Sequence, residues 1–248
     1  MRTGAPARRR GRRGAAAAGA VMTLGLILGL VTGLICLMAG SAAGMEAEMT
    51  RFAPPERTGL PAAEYPAMAA HIADYLAGRK ASFQYTLTGG AGETLLCFHE
   101  YELRHMADCR GLIRLDGLVC LAGLGIAAAA AAAAGIRIRR AGESARELRE
   151  GAVAGARGAL TAAMLAAGAL ALWAAADFDG LFMTFHRLAF RNDLWLLNPR
   201  TDLLIRLMPE EMFVDLGIRG GIAAGAGLAL LAAGIWAMDK KNRKKEEA

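Results

Sequence analysis

The chain has 248 residues, of which 55% are hydrophobic and 21% charged, with a positive mean hydropathy and a formal net charge of +6. That balance argues against an ordinary soluble domain and for a membrane protein. The basic residues sit in short clusters beside apolar runs, the pattern of topology signals and of contact with anionic membrane phospholipid, so no nucleic-acid partner is expected.

In chain order, residues 1–18 form a basic N-terminus carrying Arg2, Arg8, Arg9, Arg10, Arg12 and Arg13. Residues 19–39 then lack charge over the roughly 20 residues that a bilayer core demands, and are predicted to be the first span. A cleaved signal peptide is the alternative, because small residues follow at Ser41, Ala42 and Ala43. The region 40–116 is predicted to be a small cap. Within it, 66–77 reads as a helix that starts at Pro66 and stops at Gly78. The runs SFQYTLT (82–88) and TLLCF (94–98), joined by GGAGE (89–93), read as a hairpin. Helical periodicity returns from His99 to about Leu112 and leads into a second span at 117–136.

A basic loop is expected at 137–157, with Arg137, Arg139, Arg140, Arg146 and Arg149, before a third span at 158–176. The segment 177–219 is read as an interfacial loop, rich in Phe178, Phe182, Phe185, Phe190 and Trp195, with a turn signal at NPRTD (198–202). A fourth span at 220–238 precedes a basic terminus, 239–248, with Lys240, Lys241, Arg243, Lys244 and Lys245. The three basic segments mark the cytoplasmic side, whereas 177–218 holds seven acidic residues against four arginines and belongs outside. Both termini are then cytoplasmic. The expected fold class is an all-α polytopic membrane bundle of four transmembrane helices with a small extracytoplasmic α+β cap. Soluble Ala-rich helices are the alternative for the later spans, and the charges bracketing every run speak against it. Gly25, Gly29 and Gly33 in span one, and Gly221 and Gly225 in span four, mark faces where helices pack closely.

All four histidines, His71, His99, His105 and His186, fall in the two outer regions. Glu102, His105 and Asp108 share one side of a helix, where a carboxylate can orient an imidazole; a solvated helix face is the plain alternative. His186 lies among aromatic residues and is followed by Arg191, Asn192, Asp193, Trp195, Asp202 and Arg206, a density of polar groups that is costly beside a membrane unless it has a role. An interfacial anchor helix is the competing reading. The run HEYEL (99–103) has Leu103 where a zinc protease needs its second histidine, and the single Glu102-x-x-His105 is only half of a di-iron pattern. Neither a metal nor another cofactor is expected. For Cys97 and Cys109, twelve helical residues give a separation of about 18 Å, so a bridge needs a bend between them; free thiols are expected.

These residues resemble the bacterial lipoprotein intramolecular transacylases, the Lit family. The resemblance lies in Glu-x-x-His-Met-x-Asp at Glu102–Asp108 and in the Phe-His, Asn-Asp-x-Trp and Thr-Asp-x-Leu-Ile elements between Phe185 and Ile205, closing at Pro209. The motif-bearing part covers about a quarter of the chain. The Arg-rich start, the Ala-rich spans and Cys109, where an aliphatic residue is expected, depart from the pattern. The resemblance implies an integral cell-membrane enzyme with diacylated lipoprotein substrates, moving an acyl chain from the glycerol sn-2 oxygen to the α-amine of the N-terminal cysteine. The family's histidines fall on His105 and His186 as catalytic groups. Glu102, Asp108, Arg191, Asn192, Trp195, Asp202 and Arg206 are the candidates for substrate binding. A noncatalytic membrane protein that docks lipid or a partner on its outer ledge is the competing function; a transporter is disfavoured because the spans lack ionisable residues.

Overall fold

The computed structural model describes residues 4–90, 92–142 and 145–244; Arg2, Lys245 and the turn residue Ala91 lie outside the described residues. Helices dominate: α1 (Gly4–Ala39), α2 (Ala42–Phe52), α3 (Pro55–Thr58), α4 (Tyr65–Leu76), α5 (Glu100–Arg140), α6 (Ala145–Ala176), α7 (Phe178–Ala189), α8 (Leu203–Leu207) and α9 (Glu210–Lys244). Between α4 and α5 lies one hairpin, β1 (Thr86–Thr88) and β2 (Thr94–Leu96). Among the described residues four helices, α1, α5, α6 and α9, are long and apolar enough to cross a membrane. They run well past the apolar cores. Within 137–157, expected as a loop, α5 runs on to Arg140 and α6 begins at Ala145, where Arg146 pairs with Glu150 at 2.9 Å.

The chain divides into two compact units. One comprises 1–32, 118–172 and 222–248, and it is held by close helix approach rather than by large side chains. A Cβ placed on Gly25 would lie 2.5 Å from the carbonyl oxygen of Gly123, and one on Gly155 or Gly19 would collide with the backbone of Ala16 or Ala152. Gly25 thus joins α1 to α5, and Gly19 and Gly155 join α1 to α6, as small residues do in lipid. In α9 the contact falls elsewhere than expected. Gly221 and Gly225 face open space, and it is Gly227 that meets Leu30. Val153, Ala156, Leu160, Leu228 and Ile235 complete this core, and Arg157 pairs with Asp239 at 2.7 Å.

The second unit comprises 33–117 and 173–221. Ser41 caps α2 by accepting a hydrogen bond from the Gly44 amide at 3.0 Å, and α2 packs along α4. Gly78, with φ +78°, ends the α4 segment in the left-handed conformation. The hairpin pairs Thr86 with Leu96 and Thr88 with Thr94, so each strand is three residues long, shorter than expected. The ladder stops because Phe83 and Phe98 turn into the core, where their rings lie 4.6 Å apart. The Gln84 side chain replaces the lost backbone pair, donating to the Phe98 carbonyl and accepting from its amide. His71 fastens α4 to this hairpin. Its Nε2 donates to the Phe83 carbonyl at 2.8 Å, which leaves Nδ1 to accept from Lys80 at 3.3 Å. Met49, Met68, Ile72, Leu204, Leu207 and Met212 fill the centre of this unit.

Candidate active site

The site is built on the first turns of α5, well before its uncharged run at 117–136. His99 occupies the N-cap position, and Glu102, at the third helical residue, reaches back to accept from the His99 amide at 2.7 Å. Its other oxygen accepts from the Leu204 amide in the first turn of α8 at 2.8 Å. One fully buried carboxylate therefore satisfies amides at two helix N-termini, where negative charge is favourable. Next to it, Tyr101 donates to Asp202 at 2.5 Å, and Asp202 also accepts from the Asn198 amide and the Thr201 hydroxyl. Burial opposes ionisation of Asp202, but the hydroxyls of Thr201 and Tyr101 and the Asn198 amide outweigh it and hold this carboxyl below its usual range. Asp108 makes a third tie, accepting from Asn192 at 2.9 Å, while Asn192 accepts in turn from the Leu194 amide. The segment after α7 is thereby pinned to α5 at three points.

These ties correct the expectation that Glu102 and Asp108 orient His105. Both oxygens of Glu102 are engaged by backbone amides, and Asp108 is turned toward Asn192. Glu102 and Asp202 are buried parts of the scaffold. Arg206 donates to the Asp202 carbonyl at 3.2 Å and belongs to the same framework. Among the residues expected to meet substrate, Arg191 and Asn192 are exposed and Trp195 is half-buried.

What the scaffold brings together is His105 and His186, whose ring centroids lie 6.2 Å apart although 81 positions separate them in the chain (186 − 105). Both are buried. Around them stand Phe190, 5.1 Å from His105, and Phe182 and Trp195, 4.3 and 5.0 Å from His186. Phe213 backs Phe182 at 5.4 Å. His186 Nδ1 lies 2.8 Å from the Phe182 carbonyl oxygen; a carbonyl only accepts, so Nδ1 carries the proton and Nε2 keeps its lone pair. His105 Nε2 touches the Cys109 thiol at 3.6 Å, and Nδ1, although buried, has no hydrogen-bond partner among the described residues.

Burial sets the protonation of the pair. Desolvation, with a smaller contribution from His186, pushes His105 down to about 4 against the opposing pull of Asp108. Desolvation also lowers His186, against its bond to the Phe182 carbonyl. Two neutral imidazoles set among aromatic rings are available to accept protons. The remaining histidines are elsewhere: His71 is held in the α4–hairpin contact, and His99 is exposed and stacked on Tyr101 at 5.4 Å. The sequence reading missed Cys109 and Tyr101 as neighbours of the site. Cys109 was accessible to it as the residue one turn beyond His105, whereas nothing local joins Tyr101 to Asp202.

Four long apolar helices and a histidine pair seated on a separate compact unit define a polytopic helical membrane protein. The family described as "Lipoprotein intramolecular transacylase Lit" matches residues 20–213. The chain belongs to that family, and it is an intramolecular transacylase. Among solved structures, the membrane-integral lipoprotein intramolecular transacylase Lit from Bacillus cereus superposes with a TM-score of 0.70 at 17% identity, covering 93% of this chain and 98% of that one. Two further structures of the same Bacillus cereus protein carry a histidine replaced by arginine or by alanine. They superpose with TM-scores of 0.65 and 0.62, again at 17% identity and 93% coverage of this chain, spanning 94% and 96% of theirs. No curated protein matches the sequence.

Proposed function

We propose that this enzyme moves the sn-2 acyl chain of a diacylglyceryl lipoprotein to the α-amine of its N-terminal cysteine at the outer face of the bacterial cell membrane, with His105 and His186 as the proton-transfer pair and both termini cytoplasmic. The observation that supports the reading is the convergence of these two imidazoles among one set of aromatic rings. The substrate holds both nucleophile and acyl donor, so the protein has to fold one onto the other, exclude water and move protons. An α-amine titrates at about 8, and burial holds both imidazoles neutral where that amine is free to attack, so either can accept the proton lost on attack.

In this reading one imidazole takes the amine proton as the amine attacks the ester carbon, and a protonated imidazole returns a proton to the departing glycerol oxygen. The new amide bond replaces the broken ester bond, and no proton is gained or lost overall. Trp195 and the phenylalanines receive acyl chain from the bilayer. Arg191 and Asn192, on the exposed segment, bind the polar part of the substrate, and Arg191 or Asn192 can stabilise the oxyanion. The membrane side follows from the basic clusters.

Cys109 raises a second reading, a thioester formed on the enzyme, because its sulfur touches His105. Burial, with a smaller push from Asp108, raises that thiol to about 12, so it stays protonated and serves as packing. The decisive experiment is mass spectrometry of lipoprotein N-termini in cells carrying parent, His105→Ala, His186→Ala or Cys109→Ala protein at matched membrane abundance. The histidine variants lose lyso-form product by a factor of about 10²–10⁴, and Cys109→Ala retains it. Full conversion by either histidine variant refutes the acid–base pair. Loss in Cys109→Ala with the histidines intact replaces it with the thioester route.

A further inference from the structure

We propose that the first unit carries a binding site for the phosphate of an anionic membrane phospholipid, formed where the start of α1 meets the end of α5. A cavity of about 410 Å³ opens there, lined by Arg10 and Gly14 of α1, Ile136, Arg137 and Arg140 of α5, and Leu148 of α6. Its volume lies within the range of small-molecule pockets, about 300–1,000 Å³. Nothing in the acyl-transfer chemistry uses it.

The cations of this unit divide into two kinds. Arg8 pairs with Glu147, Arg146 with Glu150, and Arg157 with Asp239. Glu147 and Glu150 are thereby spent, and among the described residues Arg10, Arg137 and Arg140 have no acidic partner. Three like charges facing one cavity repel each other, and an anion relieves that repulsion. Arg137 rests against α1: a Cβ built on Gly14 would lie in ordinary contact with its guanidinium, at 3.6 Å. Ile136 and Leu148 supply an apolar wall beside the cations, matching a ligand that is a phosphate at one end and hydrocarbon at the other. Free phosphate shares the charge but not the hydrocarbon. A basic pocket between spanning helices is the arrangement by which such head groups are recognised.

The test uses full-length protein in neutral detergent, with phosphatidylglycerol, phosphatidylcholine or inorganic phosphate as probes, read by native mass spectrometry and by thermal stability. At about fivefold per basic residue near an anionic surface, three arginines predict about a 100-fold preference for phosphatidylglycerol over phosphatidylcholine. Replacing Arg10, Arg137 and Arg140 together with Gln removes that preference and the accompanying rise in Tm. Removing as many charges outside the cavity, at Arg9, Arg13 and Arg139, leaves both. Gly14→Leu, which keeps every charge but displaces Arg137, also weakens the preference and shows the result free of any change in net charge. Equal loss in the control triple variant reduces the effect to a general field and overturns the site. Equal stabilisation by inorganic phosphate alone overturns the lipid assignment, and a preference that survives in the Arg10, Arg137 and Arg140 variant overturns both.

Discussion

Replacing Glu102 with Ala separates a scaffold role from a substrate-binding one. The side chain is fully buried and accepts from the amides of His99 and Leu204 at 2.7 and 2.8 Å. Hydrogen bonds to a charged group are worth about 1.5–3 kcal/mol each, so two amount to about 3–6 kcal/mol, from which the cost of burying the carboxylate is subtracted. The buried Leu204 amide is then orphaned at a helix start and carries a further penalty, while the His99 amide is partly open to solvent. A net loss of about 2–4 kcal/mol follows, which for a chain of this length lowers Tm by roughly 5–15 °C. Glu102→Gln keeps one acceptor but turns an amide N–H toward a backbone N–H, so it falls between parent and Ala. The assay is thermal unfolding of purified protein in detergent, together with the rate of proteolysis between 190 and 203, the segment that the carboxylate helps to pin. Faster cleavage there with lowered Tm, and normal turnover by the fraction that remains folded, is the expected outcome. An unchanged Tm combined with a raised KM would show that Glu102 meets substrate and that the capping analysis is wrong.

The pH dependence follows from the two lowered imidazoles. The substrate amine makes the logarithm of the rate fall with unit slope below about 8, and because His105 lies at about 4 and His186 below 6.5, the slope steepens only below 6.5; steepening at or above that pH contradicts the burial of the pair. By linkage, their folded pKa values lie below the unfolded ones, so their contribution to stability is complete above about 6.5 and is lost as pH falls toward 4, which acid titration of Tm measures. His71→Ala breaks the bond to the Phe83 carbonyl and costs about 1–3 kcal/mol of stability while folded protein keeps its turnover; a specific loss of kcat would give His71 a chemical role. Gly155→Val drives a side chain into the backbone of Ala16, so overpacking lowers stability by about 1–3 kcal/mol or more, whereas Gly225→Val, facing open space, leaves Tm nearly unchanged; equal effects would mean that α1 and α6 do not meet there.

The sequence by itself determined the class of the protein, because spanning a bilayer needs nothing more than an uninterrupted apolar helix, and hydropathy along the chain records that directly. It also determined the local signals: Gly78 as a helix stop, the hairpin between 82 and 98, and the motif that singled out His105 and His186. What it could not decide was anything that depends on contact across the chain. Spacing on one helix face placed Glu102 beside His105, but the competing partner of Glu102 is the Leu204 amide, about 100 residues away and invisible to any local periodicity. The same holds for Gly221 and Gly225, whose spacing is correct for close packing but whose face is not the one α9 turns toward Leu30. It holds also for the ends of α5 and α6, which run past their apolar cores to Arg140 and back to Ala145. Local pattern specifies which elements form. The partner that takes each buried donor or acceptor is chosen by tertiary packing, since burial makes satisfaction obligatory and geometry decides which group is within reach.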